Sequence, residues 1–244
     1  MIRLTLIWTG CLFLFPILML QGLWVRKNME RLPDGLPPHT GNTGEGERAL
    51  QIVGVGDSVI AGVGVEHLSQ SLTAKVAEQL AMELECSVQW AAYGCNGDRA
   101  RELVDRIGGI PAGNVDAVIV SIGVNDVSGL TSITRWQFQI ATLIAGLRQR
   151  FQAPIVFMGV PPMGKFPGLP QPLRFALGVR AAMLDIMLKH SADVVPGVYW
   201  VSSSIEGAQV ASDGYHPAEV ACEMVAVDIV EKCLAKELIL AHEP

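Results

Sequence analysis

The residues with the clearest capacity for chemistry are Gly-Asp-Ser at positions 56–58, which end an apolar run from Leu50 to Val55. The run predicts a short buried strand, and a glycine-rich segment leads from it into a helical pattern. Ser58 is then expected at the carboxyl end of a strand, where open α/β sheets bind ligands, and beside the free N–H groups of a helix. That position suits a nucleophile whose reaction develops an oxyanion. Taken alone, however, Gly-Asp-Ser is more often a turn with a helix cap.

Three further stretches place glycine and polar residues at comparable points. They are Ala-Tyr-Gly-Cys-Asn-Gly-Asp at 92–98, Gly-Val-Asn-Asp at 123–126 and Asp-Gly-Tyr-His-Pro at 213–217. Each of them follows an apolar run of strand length or lies in a late polar loop. Since parallel strands present their carboxyl ends along one edge of a sheet, all of these stretches are expected to converge there with Ser58.

With these blocks in this order over residues 50 to 220, the chain resembles the SGNH (GDSL-type) hydrolases, a family of serine esterases and lipases. The sequence departs from the usual family pattern at two places. A valine stands at position 59 instead of leucine, and an alanine stands at position 92 instead of asparagine. Neither position carries the chemistry, so these departures bear on substrate or loop packing more than on activity.

The resemblance assigns a role to each candidate site residue. It implies that Ser58 is the nucleophile and that Asp213 and His216 complete a catalytic triad. It also implies an oxyanion hole made of the backbone N–H groups of Ser58 and Gly97 and the side-chain amide of Asn125. A glycine at position 97 is expected because it lets a backbone N–H approach the oxyanion openly.

The chemistry of serine explains why these residue types belong together. A serine hydroxyl is a weak nucleophile and needs a base in hydrogen-bond reach, with a third group that fixes the tautomer of the base. Asp213 and His216 are three residues apart at a turn, so the carboxylate meets the imidazole locally. Ser58 then attacks an ester carbonyl, and water later cleaves the acyl-enzyme. Asp57 and Asp126 are expected to cap helices or bond loop amides.

The same machinery serves several substrates and leaves other functions open. Carboxylesterase or lipase activity is expected first, while thioesterases, lysophospholipases and carbohydrate O-deacetylases use the same residues. A flavodoxin-like or nucleotide-binding module would also place glycine loops at this edge, but the sequence contains no Gly-x-Gly-x-x-Gly. A membrane-tethered binding module with a relic triad is the non-catalytic alternative.

Composition limits the partners of the protein. The chain has 244 residues, of which 50% are hydrophobic, enough for one sizeable core. Residues 1–31 carry a net charge of +3 and the remainder −9, for a total of −6. An acidic domain argues against nucleic acid, because phosphate binding needs Lys and Arg. The five cysteines and five histidines form neither a disulfide framework nor a zinc pattern, so no metal and no cofactor is expected. The oligomeric state stays open.

The first 31 residues are expected to be a membrane anchor or signal segment. Residues 4–25 form a run of 22 without a charge, with Trp8 and Trp24 near its ends, as in interfacial anchors. At about 1.5 Å per residue, one helix of this length spans the roughly 30 Å apolar core of a bilayer. No small-x-small cleavage site follows, which favours an uncleaved single helix over a signal peptide. Flanking charge does not decide between a cytoplasmic and a periplasmic domain.

The remaining sequence predicts a proline- and glycine-rich linker over residues 32–48 and one hydrolase domain over residues 49–244. Strands are predicted at 50–55, 88–92, 115–122, 154–160 and 194–201, and helices at 72–84, 99–107, 136–151, 173–190 and 219–240. This alternation predicts a three-layer α/β fold with a doubly wound parallel sheet of about five strands. The resemblance implies the flavodoxin-like strand order 2-1-3-4-5.

A proline-rich stretch over residues 161–170 has apolar side chains that no core obviously claims. One interpretation is an irregular crossover. The other is an apolar wall for the acyl or alkyl part of a substrate, to which Met163, Phe166 and Leu169 would contribute. The second interpretation suits an ester hydrolase that works beside lipid.

Overall fold

A mostly parallel sheet forms the middle layer of the protein. The computed structural model describes residues 1–111, 113–203 and 209–240. Within these ranges the sheet strands are β1 (Thr40–Thr43), β2 (Ala49–Gly56), β3 (Ser87–Gly94), β4 (Ala117–Ser121), β5 (Ile155–Met158) and β6 (Val198–Val201). Their spatial order is β1-β3-β2-β4-β5-β6. Neighbouring strands run parallel except β1 and β3, which are antiparallel.

Helices cover the sheet on both faces and add an amino-terminal pair. They are α1 (Ile2–Cys11), α2 (Phe15–Asn28), α3 (Leu72–Leu84), α4 (Ala100–Arg106), α5 (Val124–Ser128), α6 (Ile133–Arg150), α7 (Leu173–Asp193), α8 (Glu219–Ile229) and α9 (Ala235–Leu240). A π-helical turn at Val230–Leu234 joins α8 to α9, so the closing helix predicted over residues 219–240 is interrupted.

The core has two halves because the sheet is buried on both faces. Along β4, Val118 and Val120 face one half while Ala117 and Ile119 face the other, as the two-residue period of a strand requires. The first half also holds apolar residues of α4, α6 and α7, and the second holds those of α3 and α8. Both faces of β4 are therefore dry, which explains its continuous apolar sequence.

The predicted three-layer α/β fold is confirmed. When the parallel strands β2 to β6 are counted as 1 to 5 in chain order, their spatial order is 2-1-3-4-5, as predicted. The sixth strand, β1, was not predicted. It lies inside the segment predicted as a linker, and Thr40 pairs with Ala91 while Thr43 pairs with Val88. Residues 35–36 are also bound to the body of the protein, since Gly35 N–H donates to the carbonyl of Ala61 at 3.0 Å. Much of the predicted linker is therefore part of the fold.

The amino-terminal segment is bent rather than continuous. Helices α1 and α2 meet at an angle of 82°, so the prediction of a single helix over residues 4–25 is wrong. Pro16 stands in the first turn of α2, where its missing N–H is tolerated, whereas in a helix interior it breaks the hydrogen-bond ladder. In the described part of the chain, no single helix has the length and hydropathy to cross a membrane, and only this bent pair meets both criteria together.

One side of the amino-terminal pair packs on the rest of the protein and the other side is open. Cys11 and Leu18 are buried in the core half that contains α7. Large apolar side chains elsewhere on this segment are exposed, among them Ile2, Leu6, Phe13, Leu20 and Trp24. The pair therefore has one face against α7 and a second, unpartnered apolar face.

Candidate active site

The turn that carries Ser58 follows the carboxyl end of β2. Asp57 N–H donates to the carbonyl of Ser121 at 3.0 Å, which fixes the turn to the end of β4, and Val63 N–H donates to the carbonyl of Ser58 at 2.9 Å. Ser58 lies in a turn and not at the start of a helix, because α3 begins only at Leu72. The expected help from a helix N-terminus is therefore wrong, although the position at the sheet edge agrees with the prediction.

Ser58, His216 and Asp213 form one continuous chain of contacts. The Nε2 atom of His216 lies 3.0 Å from the Oγ of Ser58, and its Nδ1 lies 2.5 Å from the Oδ2 of Asp213. The Asp213 side chain is completely buried, and the His216 side chain is 21% exposed. A histidine that donates its Nδ1–H to a carboxylate keeps Nε2 free to accept the proton of a serine hydroxyl. The geometry therefore suits proton transfer from Ser58 to His216.

Asp213 is held in its charged form. Burial alone would raise its pKa, but hydrogen bonds from the His216 ring and from the backbone N–H groups of Tyr215 and His216 outweigh burial and lower it. These backbone N–H groups donate to Oδ1 at 2.9 and 3.1 Å, which leaves Oδ2 for the imidazole. The carboxylate thus orients His216 and is ionised at neutral pH.

The residues expected to bind an oxyanion line the same cavity as Ser58 and His216. Gly97 has a φ of +90°, and a Cβ added there would meet no atom within 4 Å. Glycine therefore suits this backbone conformation, which residues with a side chain rarely adopt. Asn125 lies in the first turn of α5, and its Nδ2 donates to the carbonyl of Asp98 at 2.9 Å. This bond leaves the second N–H of the amide available.

The cavity has a volume of about 650 Å³ and a mostly apolar lining. Met163 and Leu169 line it, as the sequence suggested. Phe166 does not line the cavity, so its predicted role as a wall residue is wrong. Its ring is buried and packs edge-on against Tyr215, with the ring centroids 5.8 Å apart. Tyr215 is itself a lining residue, so Phe166 supports the wall from behind.

A family assignment follows from the sequence match over this region. The family model described as "GDSL-like Lipase/Acylhydrolase family" matches residues 55–220, which contain the serine turn, both oxyanion blocks and the Asp-His block. The chain belongs to this GDSL-like family.

Solved structures agree on the fold of this GDSL-like protein. A family 3 carbohydrate esterase from Clostridium thermocellum superposes with a TM-score of 0.61 at 18% identity, over 80% of this chain and 100% of the other. The lipase Lip_vut3 from a goat rumen metagenome gives 0.61 at 14% identity, over 79% and 97%. The acetylxylan esterase Axe2 from Geobacillus stearothermophilus gives 0.54 at 16% identity, over 80% and 95%. No curated protein matches the sequence.

An arginine that the sequence analysis missed ties the edge loops of the GDSL-like site together. Arg106, on α4, donates to the carboxylate of Asp98 at 2.5 Å and to the carbonyl of Gly56 at 2.5 Å. It also donates to the carbonyl of Tyr93 at 3.2 Å. Asp98 is the residue whose carbonyl accepts from the Asn125 amide, so Arg106 connects the end of β2 to the loop that contains Gly97 and Asp98. An arginine in a short helix gives no sequence signal for such a role.

Two buried carboxyl groups support the loops without touching the reacting centre. Asp57 accepts hydrogen bonds from Val59 N–H at 3.2 Å and from the Ser121 hydroxyl at 3.0 Å. Burial raises its pKa to about 6, although both hydrogen bonds oppose the rise. Asp126 accepts from Ala100 N–H at 2.9 Å and from the Thr131 hydroxyl at 2.8 Å, and burial raises its pKa as well. Both bond loop groups, in line with the structural role that the sequence suggested.

The amino-terminal helix α2 lines the cavity opposite the serine turn. Its lining residues include Leu18, Met19, Gly22 and Leu23, and Trp8 of α1 also contributes. The sequence analysis did not anticipate this, because it treated residues 1–31 as separate from the domain. Across the described ranges, no group of three or more His, Cys, Asp or Glu residues could hold a metal ion.

Proposed function

We propose that this GDSL-like protein is a serine hydrolase that cleaves carboxylic esters through an acyl-enzyme. The observation that carries the proposal is the contact chain from Ser58 through His216 to Asp213, at 3.0 and 2.5 Å. Membership of a lipase and acylhydrolase family supports the same reaction class. Ser58 is the nucleophile, His216 the general base and acid, and Asp213 the residue that orients the imidazole.

Acylation begins when the Ser58 oxygen attacks the ester carbonyl and its proton passes to Nε2 of His216. The carbonyl oxygen becomes an oxyanion, which accepts hydrogen bonds from the N–H groups of Ser58 and Gly97 and from the Asn125 amide. The bond to the alcohol oxygen then breaks, and His216 gives its proton to that oxygen. Water repeats the sequence on the acyl-enzyme, which releases the acid and restores Ser58.

The lining of the cavity favours esters with an apolar acyl group. Met163, Leu169 and Leu177 face the space next to Ser58 and offer an acyl chain a dry surface. An acetylated sugar has polar hydroxyls that need hydrogen-bond partners, whereas apolar side chains form most of this lining. Esterase or lipase activity is therefore preferred to carbohydrate O-deacetylation. Thioesters and lysophospholipids also carry apolar acyl chains and stay as alternatives within the same class.

The amino-terminal helix pair associates the protein with a membrane surface. Its outer face exposes apolar side chains such as Leu6 (69%), Phe13 (89%) and Leu20 (68%), which suit the boundary between headgroups and acyl chains. Arg26 and Lys27 in the last turn of α2, with Arg31 just beyond, add positive charge that anionic lipids attract. The inner face stays packed on α7 in this arrangement, so the pair lies on the membrane instead of spanning it.

Hydrolysis of p-nitrophenyl esters by the full chain tests the proposed function. The purified protein, in a mild detergent, is expected to hydrolyse the acetate to decanoate series, and Ser58→Ala is expected to lose this activity. A serine-directed phosphonate should label the wild type and not the variant. Turnover that survives in Ser58→Ala would refute the serine mechanism. A folded wild type that neither hydrolyses esters nor reacts with the phosphonate would favour the non-catalytic binding module.

A further inference from the structure

We infer that α2 is one wall of the substrate site and that its residues select the length of the acyl chain; this inference rests on the proposed ester hydrolysis. The residues of α2 that face the cavity include Phe15, Leu18, Gly22 and Val25, and Met29 follows just beyond the helix. Spacings of three and four residues lie on one face of a helix. The cavity therefore runs along the whole length of α2 and does not merely touch one end.

Specific hydrogen bonds hold α2 in place at the start of α7. The Gln21 side chain donates from Nε2 to the carbonyl of Gln171 at 2.6 Å, and its Oε1 accepts from Leu173 N–H at 3.0 Å. One amide thus satisfies both a carbonyl and a free N–H at the helix N-terminus. A helix that only anchored the protein in a bilayer would have no use for this pairing.

Contacts on both sides of Gln21 fix the rest of the segment. Trp8 of α1 lies over the guanidinium of Arg180, with 5.2 Å between the charge and the ring centroid. Arg180 is 5% exposed and donates from Nε to the carbonyl of Val127 at 3.1 Å. Beyond α2, the Ser212 hydroxyl donates to the carboxylate of Glu30 at 2.7 Å, next to Asp213. The amino-terminal segment is therefore held beside both α5, which carries Asn125, and the loop that carries Asp213 and His216.

The acyl part of the ester, and not the alcohol, is the part that α2 contacts. The leaving alcohol takes its proton from His216, whose side chain is 21% exposed, so it departs on the solvent side. The acyl group stays bonded to Ser58, which is 7% exposed, until water arrives. We expect it to occupy the apolar part of the cavity, where Leu18 of α2 and Leu177 of α7 are among the lining residues.

A substitution at Gly22 is a direct way to shorten the part of the cavity that is available to the acyl chain. Gly22 lines the cavity, and a Cβ added there would meet no atom within 4 Å. A larger side chain at this position would occupy cavity volume, and the change from glycine also favours the helix. Gly10 on α1 is a matched control, since a Cβ there also meets no atom within 4 Å and Gly10 does not line this cavity.

The test compares Gly22→Ala, Gly22→Leu and Gly10→Leu with the wild type on p-nitrophenyl acetate, butyrate, octanoate and decanoate. The full chain is used in mild detergent, and circular dichroism checks that each variant is folded. Gly22→Leu is expected to lower kcat/KM for decanoate by about 10- to 100-fold. This is the size of the change in kcat/KM that the loss of methylene contacts in an apolar pocket produces. The variant's loss of kcat/KM on the acetate should be much smaller than its loss on the decanoate. Gly22→Ala should lie between wild type and Gly22→Leu, and Gly10→Leu should match the wild type.

Three results would overturn the inference while leaving ester hydrolysis in place. They are a wild type that cleaves only the acetate, a Gly22→Leu variant with an unchanged chain-length profile, and an equal loss for all chain lengths. If the wild type shows no Ser58-dependent turnover of any ester, the proposed function fails, and the inference fails with it. The Ser58→Ala control therefore separates the two kinds of failure.

Discussion

The two sides of the cavity are built by different physical means. The sheet-edge side carries Ser58, Gly97, Asn125 and His216. Its loops are held by hydrogen bonds of 2.5 to 3.2 Å to Asp57, Asp126, Arg106 and their neighbours. The helical side, formed by α2, meets the cavity mainly through apolar side chains. Hydrogen bonds fix distance and angle, whereas apolar contacts tolerate changes of shape. The comparison predicts that the sheet-edge side sets the rate and the helical side sets the preference for substrate.

The largest effect is expected at the triad. Asp213→Asn keeps the shape of the side chain but loses the charge that selects the His216 tautomer, so kcat should fall by about 10⁴-fold for every chain length. Asp185 is a control outside the triad, because its carboxyl group also accepts a backbone hydrogen bond, from Val160 N–H at 2.8 Å. Asp185→Asn should stay within a few-fold of the wild type. A chain-length-dependent loss in Asp213→Asn would contradict the division between the two sides.

The next effect is expected at the oxyanion amide. Asn125→Ala removes one donor to the developing charge, so kcat should fall by about 10²- to 10³-fold with little change in KM. Asn96 also lines the cavity, but its amide nitrogen is directed to Asp34 Oδ1 at 3.4 Å. Asn96→Ala should therefore keep kcat near the wild-type value. Steady-state kinetics on the butyrate ester measures both variants, and equal losses would show that Asn125 is not a donor.

A third effect concerns the free energy of unfolding and tests whether the sheet-edge side is shielded from water. The pKa of Asp57 rises from the ordinary 3.8 to about 6 on folding, so the folded protein favours the neutral carboxyl. The stability this contributes is fully present below pH 3.8 and is lost as the pH rises through 6, by about 3 kcal/mol. Asp57→Asn keeps an acceptor and removes the charge.

Urea unfolding of wild type and Asp57→Asn from pH 4 to pH 8 measures this difference. The free energy of unfolding of the wild type, relative to the variant, should decline across this range. A constant difference would mean that the carboxyl group is well solvated and that the sheet-edge side is not dry.

The smallest effect is expected on the helical side. Leu23→Ala shortens one lining side chain, so KM for the decanoate ester should rise about tenfold while its kcat and the acetate kinetics stay unchanged. Leu20 is on the same helix, is 68% exposed and does not line the cavity, so Leu20→Ala is the control. A fall in kcat for Leu23→Ala would show that α2 also shapes the reacting centre.

The sequence alone was sufficient to predict those features of the fold and site that depend on a local pattern of residues. The apolar runs predicted the five parallel strands because buried parallel strands have continuous apolar sequence. The spacing of Asp213 and His216 predicted their contact because a turn brings residues three apart together. The place of Ser58 at the sheet edge followed from its position after β2.

The missed features depend on contacts between residues far apart in the chain. Strand β1 has the polar sequence Thr-Gly-Asn-Thr, and its backbone hydrogen bonds to β3 leave no apolar pattern to detect. Helix α2 has apolar residues on all sides, so its composition cannot tell which face packs on α7 and which is exposed. Two of the three groups that Arg106 contacts are backbone carbonyls, which any residue provides. Only Pro16 gave a local indication that the long apolar run is broken.

The pairing of Gln21 with Gln171 and Leu173 also has a consequence for the order in which the protein is assembled. Residues 2–28 are synthesised before residues 173–193, so the inner face of α2 stays uncovered until α7 begins, 145 residues later. During that interval its apolar face is free to meet a membrane or a chaperone before it meets α7. The cavity is therefore closed late, by a segment that was made early.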